Sequence, residues 1–340
     1  MMNAAEPIST VTDPAGKPGD AERGETKGSA ASCSGNSSRA AFRAAGDSIK
    51  IQIPLLAMPE DFGIRLMKLS DDEFNLIRSL VYERFGIHLT EAKKSLVVGR
   101  LQKTLRLLGL TSFKQFYDYL MEDTSGAALD ALVNQISTNH TFFYRESSHF
   151  AYFREKVLPQ ITHLLQLENK RDIRLWCAGC SSGEEAYTLV MEMMEYFREQ
   201  YHLWDAGLLA TDISAKVLNK AMNGAYTGEN IKNAPVYAQQ HFKKKQDGAW
   251  MVSTAVKKEV TFRRFNLMNE IFPFKKPFHA IFCRNVMIYF DQPTRVSLIR
   301  KFYNNLVPGG YFFIGHSESL GREQELFEYI LPAIYRRRES

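Results

Sequence analysis

The chain has 340 residues, a formal net charge of +5, and 45 % hydrophobic against 24 % charged residues. This composition excludes a low-complexity or fibrous chain and leaves ample core for one large domain or two modest ones, while so mild a charge does not by itself call for nucleic acid. No apolar run reaches the ~18–20 residues a bilayer span needs and the first residues carry no signal-peptide core, so the expectation is a cytoplasmic protein without direct membrane insertion.

Residues 1–62 are rich in Ala, Gly, Ser and Pro without periodicity and read as a disordered extension; the short apolar stretch Ile51–Met58 gets no role. Ser70-Asp-Asp-Glu73 is a capping box, after which Phe74, Ile77, Leu80, Val81 and Phe85 recur at helical spacing until Gly86. Further helices are predicted from about Glu91 to Leu108, from Ser112, and from about Ala127 to Ser137. A small all-helical domain is thus expected at 63–138. Beyond it, Ile173–Cys177, Leu208–Ala210, Phe278–Cys283 and Tyr311–Gly315 read as strands alternating with helices, which predicts an α/β domain at 139–340 with a parallel sheet. The stretch at about 225–265 is longer than one crossover needs. Its Val and aromatic residues and the Asp247-Gly248 turn predict a small antiparallel insertion.

Trp176-Cys-Ala-Gly-Cys-Ser-Ser-Gly-Glu-Glu185 joins a strand to a helix. It is neither a dinucleotide fingerprint nor a phosphate-binding P-loop, and Glu184 and Glu185 oppose a polyphosphate. Two carboxylates suit a ligand carrying positive charge, hydroxyls and amines, and S-adenosylmethionine has a sulfonium, an ammonium and ribose hydroxyls. Asp212 ends the second strand, where an acidic residue accepts hydrogen bonds from ribose. The bland alternative is that Glu184 and Glu185 only favour the helix N-terminus. Cys177-x-x-Cys180 formally matches half a zinc site, but of the four cysteines no second pair supports it, and no metal is expected.

Two further segments carry polar groups at useful places. Asn139-His-Thr-Phe-Phe-Tyr-Arg145 leaves the helical domain, and Arg145 offers planar donors suited to a carboxylate. Arg284, Asn285 and Tyr289 follow the third strand at the ligand edge. Read alone, the first could be a linker and the second a strand end with a core tyrosine. Together with Gly183-Glu-Glu-Ala-Tyr187, Thr211-Asp-Ile-Ser214 and Gly315-His-Ser-Glu318, in this order, they resemble the chemotaxis-receptor glutamate methyltransferases, the CheR family, over about Leu69 to Tyr335.

The resemblance implies a class I S-adenosylmethionine methyltransferase with a Rossmann-like sheet, a helical N-terminal domain and an inserted β-subdomain. It implies S-adenosylmethionine as donor, S-adenosylhomocysteine as product, and receptor glutamate side chains as acceptors. By position, Asn139, Thr141, Arg145, Glu185, Asp212, Asn266, Leu267, Arg284 and Asn285 match the family's cofactor-binding residues. Arg145 and Tyr289 match residues beside the transferring methyl. Ala186 and His279 depart from the common Pro and Asp, and the turn Lys243–Gly248 lacks the glycine-rich form with which some members hold a receptor's C-terminal peptide.

A glutamate side chain is ionised at neutral pH, with a pKa near ~4.3, so transfer to it needs no general base. The segment Asn139–Arg145 is expected to hinge the helical domain over the cofactor. From Ala92 to Leu108 the chain carries Lys93, Lys94, Arg100, Lys103 and Arg106 and no acidic residue. This is either a solvated face or a docking surface for acidic cytoplasmic helices of methyl-accepting chemotaxis receptors, reached at membrane receptor arrays. No nucleic-acid module accompanies it, and a monomer is expected. The rival readings are a methyltransferase for RNA or a small molecule, and a non-catalytic cofactor-sensing scaffold.

Overall fold

The computed structural model describes residues 67–339; the predicted extension and Ile51–Met58 lie outside them. Ser70 opens the first helix as a reciprocal cap: its hydroxyl accepts the Glu73 N–H at 3.2 Å while the Glu73 carboxylate accepts the Ser70 N–H at 2.9 Å. Helix α1 (Asp71–Phe85) stops at Gly86, φ 68°, whose N–H donates to the Tyr82 carbonyl at 2.8 Å. A 3-10 turn, Glu91–Lys93, leads into α2 (Lys94–Leu107), followed by α3 (Phe113–Glu122) and α4 (Ala127–Ile136). Phe74, Val97, Leu101, Phe113, Phe116 and Leu132 meet in one core.

Helix α5 (Ser147–Tyr152), a π-turn at Phe153–Val157 and α6 (Leu158–Leu167) form a helical stretch before the sheet for which no element was expected. The α/β part then runs β1 (Leu175–Ala178), α7 (Glu184–Phe197), β2 (Leu208–Asp212) and α8 (Ala215–Asn223). A small unit follows: β3 (Ala225–Tyr226), α9 (Gly228–Ile231), α10 (Val236–Gln239), β4 (Phe242–Lys244), β5 (Trp250–Val252) and α11 (Thr254–Lys257). The chain finishes with β6 (Val260–Arg264), β7 (Phe278–Cys283), α12 (Gln292–Asn304), β8 (Leu306–Ile314), β9 (Phe327–Leu331) and β10 (Ile334–Arg337).

The main sheet has seven strands in the order β6-β2-β1-β7-β8-β10-β9, and β3-β5-β4 make a separate antiparallel sheet. The expected α/β class, helical N-terminal part and small antiparallel insertion are all present. Two details differ. The insertion is shorter than 225–265, because β6 pairs in parallel with β2 and buries Val260 and Phe262 in the main sheet. The sheet is also mixed, because β10 runs antiparallel to both β8 and β9. Strand order reverses between β1 and β7, so the loops after these two neighbours open a crevice at the carboxyl edge.

The helical part is docked against this edge. Ile87 bridges Phe290, the His88 N–H donates to the Tyr289 carbonyl at 2.8 Å, and the Asn266 side chain donates to the Arg84 carbonyl at 2.8 Å. Arg264 pairs with Asp130, and the Ser214 hydroxyl meets the Asn134 side chain. Gly86 is the tightest point: a Cβ there would come 2.1 Å from the Met268 sulfur, in a left-handed conformation that L side chains rarely adopt. Gly86→Ala is expected to cost about 1–2 kcal/mol of stability, read as a lowered denaturant midpoint with an unchanged slope.

Candidate active site

The site begins where β1 ends. Gly179 takes φ 82° and Gly183 φ 95°, and the N–H groups of Gly179 and Cys180 both donate to the Thr211 carbonyl, at 2.8 and 2.9 Å. A side chain at Gly179 would strike Val286 at 2.4 Å, so glycine is what lets the β1 and β7 loops close on each other. Gly183 likewise seats the start of α7 against Ala221, 2.8 Å from where a Cβ would stand.

All ten residues assigned to cofactor or methyl, namely Asn139, Thr141, Arg145, Glu185, Asp212, Asn266, Leu267, Arg284, Asn285 and Tyr289, line one cleft. Phe85 and Ile87 of the helical part close its far wall. Counting its open mouth, the cleft holds about 1030 Å³ of empty space.

The carboxylates divide. Asp212 accepts the Ser181 N–H at 2.8 Å and the Ser214 N–H at 2.9 Å, and burial pushes its pKa up against those bonds. Glu185 accepts the Cys177 thiol at 3.2 Å and Arg284 Nη1 at 2.8 Å. Glu184, expected beside it, turns into the protein: it is fully buried, accepts the Ser182 hydroxyl at 2.7 Å, and has its pKa raised by burial. Neighbouring residues on a helix point about 100° apart, so only one of the pair faces the cleft.

Arg284 is also more structural than its sequence position suggests. Besides Glu185, its Nη2 donates to the Arg145 carbonyl at 2.6 Å and to Glu146 Oε2 at 2.9 Å, and the guanidinium stacks 5.0 Å from the Phe150 ring centre. Burial pushes Glu146 up, but Arg284 outweighs it and holds the carboxyl below its ordinary pKa. Asn285 stands at φ 59°, and its N–H donates to Glu318 Oε2 at 2.9 Å. Glu318 also accepts the Gly315 N–H at 2.6 Å and the Ile288 N–H at 3.2 Å. The Gly315–Glu318 motif therefore clamps the loop that carries Asn285 and Tyr289, a role its spacing alone did not reveal.

Arg145 and Tyr289 share the cleft. Arg145 Nη1 donates to the His140 carbonyl at 2.9 Å, and the guanidinium makes no ion pair among the described residues. The Tyr289 hydroxyl donates to the Thr138 carbonyl at 3.1 Å. Asn266 spends its side chain on Arg84 and on the Met268 N–H, and Leu267 is largely buried in the core. The Asn139 amide reaches Ser137 at 3.3 Å.

The residues fit a cofactor with cationic and hydroxyl groups. Asp212 and Glu185 project acidic groups at the sheet edge, the Arg284 charge beside Glu185 is neutralised by two carboxylates, and two buried cleft atoms, Ser181 Oγ and Arg284 Nε, have no partner among the described residues. A polyphosphate would meet carboxylates instead of a cradle of N–H groups. Cys177 and Cys180 are buried thiols with pKa pushed well up by burial. Among the described residues, Glu146, His149 and His316 bring potential metal-ligand atoms within 4.8 Å of one another. The carboxylate is committed to Arg284. The two imidazoles meet Nε2 to Nε2 at 3.0 Å, and burial with Arg284 nearby pushes His149 down to about 3.

Among the five basic residues of the second helix, three are spoken for. Lys94 pairs with Asp71, and Lys93 donates to the His88 carbonyl at 3.1 Å. Arg100 donates to the Ile136 and Gln135 carbonyls at the end of α4, and to Thr138 at 2.7 Å, so its guanidinium has partners within the domain. Spacing on a helix cannot reveal this cap, because α4 comes alongside only in the folded domain. Lys103 and Arg106 are exposed.

A sheet with a glycine turn after β1, an acidic residue at the end of β2 and a cleft across the switch point places a nucleoside-bearing ligand at its carboxyl edge, and the match of residues 139–334 to a SAM binding domain makes the chain an S-adenosylmethionine-dependent methyltransferase. The chain belongs to the CheR methyltransferase family: residues 139–334 match its SAM binding domain and residues 72–137 its all-alpha domain. It is 42 % identical over 272 residues to the chemotaxis protein methyltransferase of Borreliella burgdorferi, covering 80 % of this chain and 96 % of that one. Against the probable chemotaxis protein methyltransferase of Rhizobium etli the identity is 35 % over 262 residues, 76 % and 96 % of the two chains. Against the chemotaxis protein methyltransferase of Escherichia coli it is 34 % over 273 residues, 79 % and 92 %.

Asp212→Ala is expected to weaken S-adenosylhomocysteine binding by at least about tenfold, the cost of one charge-assisted hydrogen bond. Titration calorimetry reads it directly.

Proposed function

We propose that the chain methylates glutamate side chains on the cytoplasmic helices of chemotaxis receptors, forming glutamyl methyl esters for sensory adaptation. The observation that carries this reading is Arg145, a guanidinium facing the cleft without a carboxylate partner among the described residues. A planar fork of donors suits an incoming carboxylate. The printed names of the curated relatives supply the chemotactic setting.

Bound in the cleft, S-adenosylmethionine supplies an electrophilic methyl group on a sulfonium. The work left to the protein is alignment. A glutamate with a pKa near ~4.3 arrives as the anion, so no residue need take a proton. Arg145 orients the carboxylate. The Tyr289 hydroxyl, held over Thr138, adds a second polar group at the same wall. Asp212 and Glu185 hold the cofactor's polar ends, with Asn139, Thr141, Asn266, Leu267, Arg284 and Asn285 around it. Alignment alone supplies several kcal/mol of the barrier reduction.

The domains divide the labour in this reading. The helical part at 63–138 presents the receptor-facing surface, and the part at 139–340 holds the cofactor. Lys103 and Arg106 are exposed on α2 and make no ion pair among the described residues, so they are the cations that an acidic helix would meet. No described helix is long and apolar enough to cross a membrane, and we place the protein in the cytoplasm, recruited to receptor arrays. Within Lys243–Gly248, Lys243 and Lys244 pair in β4; the hairpin turn begins at Lys245, whose N–H donates to the Ala249 carbonyl at 2.7 Å and whose carbonyl accepts the Gly248 N–H at 3.1 Å.

Incubation with labelled S-adenosylmethionine and receptor-containing membranes is expected to give protein-bound label that mild base releases as methanol. Label stable to base would instead favour another acceptor, and cofactor binding without any transfer would favour a sensing role. Arg145→Ala should lower turnover by about 100-fold or more; wild-type turnover in that variant rejects its assignment. Lys103→Ala with Arg106→Ala should reduce the rate several-fold at low ionic strength and little at high salt. A rate loss independent of salt would remove these residues from docking.

A further inference from the structure

The backbone that presents Arg145 is unusual. Tyr144 sits at φ 61° and Glu146 at φ 57°, so Arg145 stands between two residues in the left-handed region. A bulky aromatic residue rarely stays there unless its surroundings over-determine it. The surroundings can be named. The Phe143 N–H donates to the Asn230 carbonyl at 3.0 Å, and its ring stands edge-on to Tyr226 and Phe242, 4.9 Å from each. Arg284 holds the Arg145 carbonyl. The Tyr144 ring meets Phe150 at 5.7 Å, and its hydroxyl donates to Glu192 Oε1 at 2.9 Å.

Glu192 has no part in the chemistry described so far. It lies on the buried side of α7, with its side chain 0 % exposed. Besides Tyr144 it accepts the Tyr237 hydroxyl at 2.7 Å and Arg154 Nη1 at 2.9 Å. Arg154 also donates to the Tyr237 hydroxyl and stacks 5.1 Å from that ring's centre. A carboxylate so deep is retained only where it is paired and hydrogen-bonded, and here the partners come from three separate elements. Tyr144 comes from the acceptor-side segment, Arg154 from the π-turn after α5, and Tyr237 from α10 of the small antiparallel unit. The same helix that presents Glu185 to the cofactor thus grips, two turns further on, the residue preceding Arg145.

We infer that Glu192 is a positioning residue for Arg145, acting through the hydroxyl of Tyr144. The small antiparallel unit takes part in this, since Tyr237 holds Glu192 while Tyr226, Asn230 and Phe242 hold Phe143. The inference rests on the proposed role of Arg145. Loss of the Tyr144 bond loosens the backbone that presents Arg145, which costs alignment of the acceptor while Glu185 and Asp212 keep their places on the sheet edge.

The test uses the full chain, labelled S-adenosylmethionine and receptor membranes. Tyr144→Phe should lower kcat by about 10- to 100-fold, with S-adenosylhomocysteine affinity changed by less than about threefold. Tyr196→Phe serves as the control: it removes another phenol from α7, one that meets Thr162 at 3.0 Å away from the cleft, and should leave kcat unchanged. In an Arg145→Lys background, adding Tyr144→Phe should cost little further, because the two act as one unit. Glu192→Met removes both acceptor oxygens and should reproduce the kcat loss; where it fails to fold, Tyr144→Phe alone decides. Undiminished kcat in Tyr144→Phe overturns the inference, as does a full additional loss in the Arg145→Lys background. If Arg145→Ala is inactive while Tyr144→Phe is unimpaired, only the Glu192 link fails. If Arg145→Ala keeps wild-type turnover, the reading of Arg145 itself fails.

Discussion

Arg284 leaves the end of β7 with its side chain 1 % exposed and meets Glu185 from α7, Glu146 from the acceptor-side segment and the carbonyl of Arg145. A guanidinium at that depth requires compensating charge, and the two carboxylates supply it. The consequence is geometric. The three chain segments that meet at Arg284 cannot move apart without exposing an unpaired buried charge. Arg284 was expected to touch the cofactor. Its larger contribution is to hold Glu185 and the segment ending at Arg145 in one frame, with the Glu318 clamp fixing the same β7 loop from the other side.

The helical part packs directly on that frame. The bridge between Ile87 and Phe290, the Asn266 bond to Arg84 and the left-handed Gly86 against Met268 seat α1 on the loops after β6 and β7. Arg100 contributes by capping α4 and reaching Thr138, whose carbonyl receives the Tyr289 hydroxyl. A residue on the basic helix is therefore one hydrogen-bonded step from the acceptor wall. In the proposed function, a receptor helix docking near Lys103 and Arg106 would press on an element continuous with the site.

The parts that resisted prediction share a cause. Val260–Arg264 has the composition of a strand, but whether it closes the small unit or joins the large sheet depends on which edge accepts it, and β2 offers the longer parallel partner. The terminal hairpin β9–β10 was missed because its exposed residues blur the alternation on which strand prediction relies. Phe150, Phe153, Val157, Ile161 and Leu165 did recur at near-helical spacing, and the stretch was legible in principle. Glu146 and Glu192 carried no local signal, since Arg284, Tyr144, Arg154 and Tyr237, which meet them, lie far along the chain; Glu318 stood in a legible motif, but its partners Asn285 and Ile288 are likewise remote.

The sequence by itself determined the chemistry. The Gly179–Gly183 turn, the acid at 212, the polar run from Asn139 to Arg145 and the strand end at Arg284–Tyr289 are local features, set by backbone freedom, strand ends and side-chain type, and their order was enough to recognise the family. Only the tertiary structure decided which of those groups face the cleft and which are paired within the fold. It turned Glu184 inward and Glu185 outward, and it gave Arg100 of the basic helix partners at the end of α4. The reason is physical: whether a charge is free or compensated depends on neighbours brought together by folding, and residue type and spacing along one element do not encode it.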